Sequence, residues 1–167
     1  MGLVPDYSRT VEVHIDAPPQ QVWDLVSDVT RIGEFSPETF EGKWTKGSTG
    51  PEVGATFAGH VKRNGVGPVY WSPCRVTACT PPGDDDRAMA GPARFEWTVG
   101  TDAATFNNWG YEIEPHPDGG SRVREYFRIE PNLPMKAYWL VMGRARGNTN
   151  VNGMRTTLER MKEVLES

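Results

Sequence analysis

The sequence is poor in the residues and patterns that several classes of protein require. Its 167 residues include only two cysteines and three histidines. No apolar run approaches the roughly 18 residues that would cross a bilayer. Lysines and arginines number 18 against 22 aspartates and glutamates, a net charge of −4 that argues against a nucleic-acid surface. Its beginning lacks the basic and apolar regions of a secretory signal. We therefore expect a cytoplasmic protein with no membrane span and no nucleic-acid partner.

The scarce cysteines and histidines also leave little material for a disulfide or a metal site. Cys74 and Cys79 are five positions apart, so on one regular strand they would point to opposite faces, about 16 Å apart along it. That separation is too large for a disulfide, and we expect both thiols to be free and reduced. The histidines, His14, His60 and His116, lack metal-ligand spacing. We expect no metal and no cofactor.

The first third of the chain has a clear order of elements. Apolar and polar residues alternate over 11–15, which predicts a strand. Asp16 and two prolines follow, and proline is tolerated in the first turn of a helix. An apolar stripe over 22–26 predicts that helix, and a second short helix is predicted over 29–37, where Gly and Ser-Pro end it.

The rest of the chain alternates strands with turns and then becomes helical. An apolar stripe of period 3 and 4 in the last third predicts one long amphipathic helix over 135–166. That stripe comprises Val151, Met154, Leu158, Met161 and Leu165. The predicted strands are 39–46, 55–62, 69–80, 94–100, 105–114 and 121–130. This order is typical of an α+β protein with its helices on one face of an antiparallel sheet.

Two segments carry a resemblance to a known family. The sequence APPQQVWDLVSD at 17–28, followed by RIGEFSP at 31–37, resembles the opening of the START-like (SRPBCC) helix-grip superfamily. It is most similar to the polyketide cyclase/dehydrase branch. The resemblance implies a curved antiparallel sheet of six or seven strands wrapped around a long C-terminal helix, with two short helices after the first strand. It covers nearly the whole chain and predicts one ligand-binding domain over 8–166, after a short extension, 1–7.

The resemblance also implies a function, because the helix-grip fold is built around a cavity. The implied function is the binding of a small hydrophobic or aromatic molecule, lipid or polyketide-like, by a monomer or homodimer. Two alternatives stay open because one fold hosts unrelated activities. A polyketide cyclase/dehydratase-type enzyme would need a positioned acid or base in a dry pocket. A protein-interaction module would expose a large apolar patch.

Strand parity and the resemblance together predict which side chains line that cavity. The alternatives are that the aromatic rings only fill the core, or that a one-residue slip turns the opposite set inward. The predicted apolar lining is Phe35, Phe57, Trp71, Trp97, Trp109, Tyr111, Phe127, Tyr138 and Met142. The predicted polar anchors are Asn107, Glu125 and Asn148, with Arg144 and Asn152 on the same helix face.

Glu125 is the most informative of these residues. It shares a strand face with Val123 and Phe127, so parity places it inside the sheet. A buried carboxylate costs several kcal/mol unless it is paired. We therefore predict that its pKa is raised or that it meets an arginine, the latter being a purely structural alternative. Glu125, Tyr111 and Arg144 are the candidate catalytic residues.

Overall fold

The elements follow one another in the order that the sequence predicts. The computed structural model describes residues 8–83, 91–129 and 133–167; the side chains of 64, 133–144, 146 and 147 are outside this description. The predicted extension, 1–7, also lies outside it, so the domain bounds stay a prediction. The described elements are β1 (Arg9–Ile15), α1 (Pro19–Ser27), a 3₁₀ helix (Val29–Glu34), β2 (Thr39–Thr45), β3 (Thr56–Val61), a 3₁₀ turn (Arg63–Gly65), β4 (Tyr70–Thr80), β5 (Ala93–Thr101), β6 (Ala104–Pro115), β7 (Ser121–Ile129) and α2 (Leu133–Glu166).

In the described chain, seven strands form one antiparallel sheet in the order β1-β7-β6-β5-β4-β3-β2. The first strand therefore lies beside the last, and α1 with the 3₁₀ helix carries the chain from one edge of the sheet to the other. α2 returns over the sheet and packs on β1 and β7. This arrangement confirms the predicted α+β helix-grip architecture. No helix in the described residues is long and apolar enough to cross a membrane.

α1 and the 3₁₀ helix begin where the sequence places their signals. α1 starts after Pro18, which is extended, and buries an apolar face that includes Trp23. The Trp23 ring meets Phe95 of β5 edge-on, with centroids 6.1 Å apart. Asp28 caps the 3₁₀ helix, since its carboxylate accepts hydrogen bonds from the Thr30 amide at 3.1 Å and the Thr30 hydroxyl at 2.6 Å. Both short helices are thus held against the sheet.

Two glycines allow the 3₁₀ helix to lie directly on β2. A Cβ added at Gly33 would stand 2.2 Å from the carbonyl oxygen of Phe40. A Cβ at Gly42 would stand 2.1 Å from that of Val29. Contacts this short between a side chain and backbone cannot be relieved by a rotamer change. Glycine at both positions is therefore what lets the chain close over the far edge of the sheet.

The apolar stripe of α2 packs on the sheet as predicted. Met154, Leu158 and Met161 are almost completely buried, and Val151 and Leu165 pack against the same core. The helix end is tied to β1 by polar contacts, because Lys162 donates to the backbone oxygen of His14 at 3.1 Å. The C-terminal half of α2 thus seals one end of the sheet.

A β-bulge corrects the prediction that the two cysteines face opposite sides of their strand. The register of β4 on β5 shifts between Val76 and Ala78. Cys74 then pairs with Val99 and Cys79 with Phe95, two positions that share the inner face. The extra residue reverses the side-chain alternation beyond it. Both cysteines are unpaired in the structure, Cys74 buried and Cys79 partly exposed; their redox state stays a prediction.

Candidate ligand cavity

A cavity of about 640 Å³ lies between the concave face of the sheet and the middle of α2. Strands β3 to β7, the segment 36–39 and the helix positions 149–157 all contribute to its walls. Small-molecule sites typically measure about 300–1,000 Å³. The space is therefore large enough for a bicyclic to tetracyclic compound or a folded acyl chain.

Aromatic rings form a continuous wall across three strands. Phe57 of β3 and Trp97 of β5 have ring centroids 6.0 Å apart, and Trp97 and Tyr111 of β6 are 5.7 Å apart. Trp109 lies on the same face of β6 and also lines the cavity. Such rings supply large contact areas with little conformational freedom to lose. This wall suits a flat or extended apolar molecule.

Two of the aromatic residues predicted for the lining belong to the packed core instead. Phe35 and Phe127 are each 1% exposed and do not line the cavity. Phe127 is the register partner of Trp109, and the two rings pack with centroids 5.2 Å apart. Of this pair only Trp109 reaches the cavity, so Phe127 acts as its support.

Trp71 reaches only the rim of the cavity, because its ring lies on the outer face of the sheet. It is the register partner of His60, which faces outward between the buried positions of β3. The two rings are stacked, with centroids 4.3 Å apart and planes 8° apart. The Lys43 ammonium lies 3.9 Å from the centroid of the Trp71 ring. Alternation places the Trp71 side chain on the opposite face of β4 from Cys74, although the residue borders the cavity. Its role in ligand binding stays a prediction.

Glu125 lies inside, as strand parity predicts, and is 5% exposed. It lines the cavity beside Tyr111, its register partner on β6. The Tyr111 hydroxyl donates to Oε1 of Glu125 across 3.4 Å, a long hydrogen bond. Oε2 is buried and has no hydrogen-bond partner in the described residues. The carboxyl group therefore has one oxygen bonded to Tyr111 and one buried oxygen without a hydrogen-bond partner in the described residues.

Burial decides the protonation of this pair. It raises the pKa of Glu125 well above its ordinary value of 4.5, and the hydrogen bond from Tyr111 lowers that pKa by less. Burial and the adjacent Glu125 also raise the pKa of Tyr111 well above 10.0. No lysine or arginine in the described side chains pairs with Glu125; Arg144, the predicted candidate, lies outside them. An unpartnered buried polar atom costs about 1–3 kcal/mol.

Asn107 provides a second polar group on the same face of β6. Its Oδ1 is buried without a hydrogen-bond partner in the described chain, and the residue lines the cavity. Four positions separate Asn107 from Tyr111, which corresponds to about 13 Å along a strand. The polar groups of Asn107 and Tyr111 therefore lie at opposite ends of the aromatic wall.

The helix side of the cavity differs in its polar residues from the prediction. Asn148 and Asn152 point outward and are exposed, whereas Asn150 and Thr157 are buried on the cavity wall. Asn150 lies four positions before Met154 and so continues the buried stripe of α2. That spacing is the sequence signal that would have identified it. Tyr138, Met142 and Arg144 lie outside the described side chains.

The mouth of the cavity is formed by residues that sequence reasoning missed. Arg63, Tyr70 and Phe106 line it. Arg63 donates a hydrogen bond to the Tyr70 hydroxyl, and Phe106 is 46% exposed. Alternation predicts an outward-facing side chain for Phe106, but the register of β6 on β5 shifts at this position, between the pairs Val99–Asn107 and Gly100–Thr105.

The described residues contain few groups arranged for catalysis. They include no cluster of three or more His, Cys, Asp or Glu side chains suited to a metal ion. His14 and His116 have ring centroids 4.7 Å apart, but neither lines the cavity. Of the predicted catalytic candidates, Glu125 and Tyr111 are brought together. This pair could act as an acid on a bound molecule.

Comparisons with known proteins agree with this architecture. The chain is similar in fold to a START superfamily protein from Mycobacterium smegmatis, with 13% identity over 95% of this chain and 97% of that chain and a TM-score of 0.68. It is also similar to a hypothetical protein from Helicobacter pylori, with 13% identity over 95% of this chain and 86% of that chain and a TM-score of 0.68. A protein of unknown function from Staphylococcus aureus is similar too, with 14% identity over 95% of this chain and 93% of that chain and a TM-score of 0.65. No curated protein sequence matches the chain significantly. The family model described as polyketide cyclase / dehydrase and lipid transport matches residues 8–166. The chain therefore belongs to this family, on the START-like fold that its first strand and short helices predict.

Proposed function

We propose that this protein binds a small, mostly apolar molecule in the cavity between the sheet and α2. The observation that carries the proposal is a space of about 640 Å³ bounded by Phe57, Trp97, Trp109 and Tyr111. A protein interior is normally close-packed, so an apolar space of this size is unusual unless a ligand fills it. The family description, which includes lipid transport, supports the same conclusion.

Gly153 offers a sharp test, because it lines the cavity from α2 and a Cβ added there meets no atom within 4 Å. Gly153→Phe would place a ring in the cavity, whereas Gly153→Ala would add one methyl group and favour the helix by about 0.5–1 kcal/mol. We expect an anilinonaphthalene dye to bind wild type and Gly153→Ala saturably with enhanced emission. The Gly153→Phe variant should bind it at least tenfold more weakly, a difference of about 1.4 kcal/mol.

Equal dye affinity in the alanine and phenylalanine variants would overturn the proposal. So would the lack of saturable binding to wild type, a result that would leave the protein-interaction module as the better hypothesis. Native mass spectrometry of the purified protein would identify a molecule carried from the cell. The same molecule should be missing from Gly153→Phe and present in Gly153→Ala.

Acid catalysis on the bound molecule is a second candidate function. It is favoured by one observation, the proximity of Glu125 and Tyr111 in a mostly apolar cavity. A carboxylic acid kept neutral by burial can protonate or polarise a carbonyl group. Conversion of the co-purified molecule on incubation with wild type, abolished in Glu125→Gln, would support catalysis. Unchanged recovery of the molecule would favour a carrier.

A further inference from the structure

We propose that one end of the sheet is a docking surface for an anionic lipid membrane. The surface consists of residues 62–71, which form the end of the β3–β4 hairpin, and of Phe106 on β6, and is called the hairpin surface below. It lies beside the mouth of the cavity. Membrane docking goes beyond the proposed function, because it does not depend on what the cavity binds.

The hairpin surface brings together residues from two separate turns of the chain. Val61, at the end of β3, pairs with Tyr70 at the start of β4. β5 ends and β6 begins at this same end of the sheet, because each strand runs antiparallel to its neighbour. Phe106 therefore lies at the same end as the β3–β4 hairpin. Tyr70, Trp71 and Phe106 also border the cavity, so the hairpin surface is continuous with its mouth.

Apolar side chains dominate the hairpin surface. In the part of the chain that the structure describes, seven large apolar side chains are exposed, and five of them lie here. These five are Val66, Val69, Tyr70, Trp71 and Phe106, and the most exposed is Val66, at 76%. Exposed apolar residues are normally scattered singly over a soluble protein, whereas a cluster of them marks an interaction surface.

The turn of the hairpin projects from the body of the protein. A Cβ added at Gly65 or at Gly67 would meet no atom within 4 Å. Open space therefore surrounds the backbone on both sides of Val66. A protein partner needs a well-packed surface of about 800 Å² on each side. A narrow projecting turn with an apolar end is better suited to insertion between the headgroups and acyl chains of a membrane.

The hairpin surface carries positive charge although the protein as a whole is acidic. Lys62 and Arg63 are exposed, and no aspartate or glutamate occurs from residue 53 to residue 83. Arg63 donates a hydrogen bond to the Tyr70 hydroxyl, so its guanidinium lies next to one of the exposed rings. The net charge of the whole chain is −4. Basic residues beside exposed apolar and aromatic side chains are typical of surfaces that bind anionic headgroups.

Acidic side chains on neighbouring segments are engaged by the protein. Asp102, in the turn before β6, forms an ion pair with Arg75 at 2.7 Å. Glu41 of β2 contacts the His60 ring at 3.1 Å. Glu38 is half-buried and lines the cavity. The charge of Asp102 is thus balanced by its own ion pair, and the charge of the hairpin is set by its lysine and arginine.

Vesicles of defined composition test the proposal with a matched pair of double variants. Lys62→Gln/Val66→Ser changes the hairpin surface. Lys46→Gln/Val53→Ser is the control, since it changes an exposed lysine and an exposed valine in the β2–β3 turn, at the opposite end of the sheet. Co-sedimentation would measure the affinities of both variants and of wild type. The vesicles contain phosphatidylcholine alone, or phosphatidylcholine with about one third phosphatidylglycerol.

We expect wild type and the control to bind the anionic vesicles at least tenfold more tightly than the neutral ones, because two basic residues meet the charged headgroups. Lys62→Gln/Val66→Ser should bind the anionic vesicles at least tenfold more weakly than the control, since it loses a charge and an inserted apolar side chain. Neither Lys62 nor Val66 lines the cavity. The variant should therefore bind the anilinonaphthalene dye with the affinity of wild type.

Three results would overturn membrane docking and leave the cavity function intact: no binding of wild type to anionic vesicles, equal binding to both kinds of vesicle, or equal affinities of the two double variants. Sedimentation velocity addresses the rival occupant, a second copy of this chain. Dimers that are lost in Lys62→Gln/Val66→Ser and kept in the control, without vesicle binding, would assign the hairpin surface to self-association and so overturn the proposal. Vesicle binding as expected, without saturable dye binding, would contradict only the proposed function.

Discussion

At the scale of single residues, the buried position of Glu125 lowers the stability of the folded protein. Its carboxyl is buried, one of its oxygens has no partner in the described residues, and the hydrogen bond from Tyr111 is long. An acid in such a position must stay neutral or lose stability, because the unfolded chain ionises it freely. The position therefore links the energetics of folding to the chemistry of the cavity.

The pH dependence of stability should reveal this acid. The pKa of Glu125 is raised above the unfolded value of 4.5, so the folded state keeps a proton that the unfolded state releases as the pH rises. Its contribution to stability is thus fully present below about pH 4.5 and is lost as the pH rises towards the folded pKa. Above pH 4.5, each further pH step of one costs the folded state about 1.4 kcal/mol until the folded pKa is reached.

We therefore expect Glu125→Gln to resemble wild type in stability near pH 4.5 and to exceed it increasingly as the pH rises from there towards the folded pKa of Glu125. Of the groups that face Glu125 from the described parts of β1, β6 and α2, only Tyr111 titrates, and its raised pKa keeps it neutral over this range. Urea denaturation at several pH values would measure the difference, with Glu163→Gln at an exposed position of α2 as the control. A difference that is constant with pH would show that Glu125 is ionised in the folded protein.

At the scale of elements, the cavity depends on how the 3₁₀ helix closes over β2. The helix lies against this strand because Gly33 and Gly42 leave room for backbone atoms of the other segment. Ile32 of the same helix and the segment 36–39 then border the cavity. The position of this part of the cavity wall thus follows from two glycines that do not themselves line the cavity.

Replacing Gly42 by alanine should destabilise the protein by about 1–3 kcal/mol, the usual cost of overpacking. The added Cβ would stand 2.1 Å from the carbonyl oxygen of Val29, so the helix must move. Gly50→Ala is the matched control, because a Cβ there meets no atom within 4 Å and the backbone has no positive φ. Thermal denaturation of both variants would measure the effect. Similar melting temperatures for the two would contradict the proposed close approach.

At the scale of the whole molecule, the two faces of the sheet have different roles. The outer face carries ion pairs, among them Arg124 with Glu12 at 2.7 Å and Arg128 with Glu96 at 2.8 Å. The inner face meets α2, where Leu158 and Met161 are buried in the core while positions 149–157 border the cavity. One part of the interior between the sheet and α2 is therefore a packed core and another part is a cavity.

A ligand that fills this space should stabilise the entire fold. A molecule that binds only the folded state, at about 100 times its Kd, adds about 2.7 kcal/mol, which raises the melting temperature of a domain of this size by about 5–10 °C. We expect the anilinonaphthalene dye to produce this increase in wild type and Gly153→Ala. The increase should be largely lost in Gly153→Phe. Equal shifts in all three proteins would place the ligand outside the cavity.

Much of the fold could be predicted because it depends on local pattern. Alternation predicted the strands to within one or two residues, and the spacing of Met154, Leu158 and Met161 predicted how α2 packs. The same parity placed Glu125 inside. These features need only the period of a strand or helix and the cost of exposing apolar surface. The sequence by itself therefore determined the order of elements, their buried faces and the family.

The details of the cavity were decided only by the tertiary structure. The bulge in β4 reversed the face of Cys79, and pairing with His60 showed that Trp71 faces outward. Neither feature can be predicted from the local pattern, since register depends on contacts between strands that are distant in sequence. Packing likewise separated Trp109, on the cavity wall, from Phe127 behind it. Alternation specifies which face a side chain takes, but only the assembled sheet and helix determine where that face is filled and where it is left open.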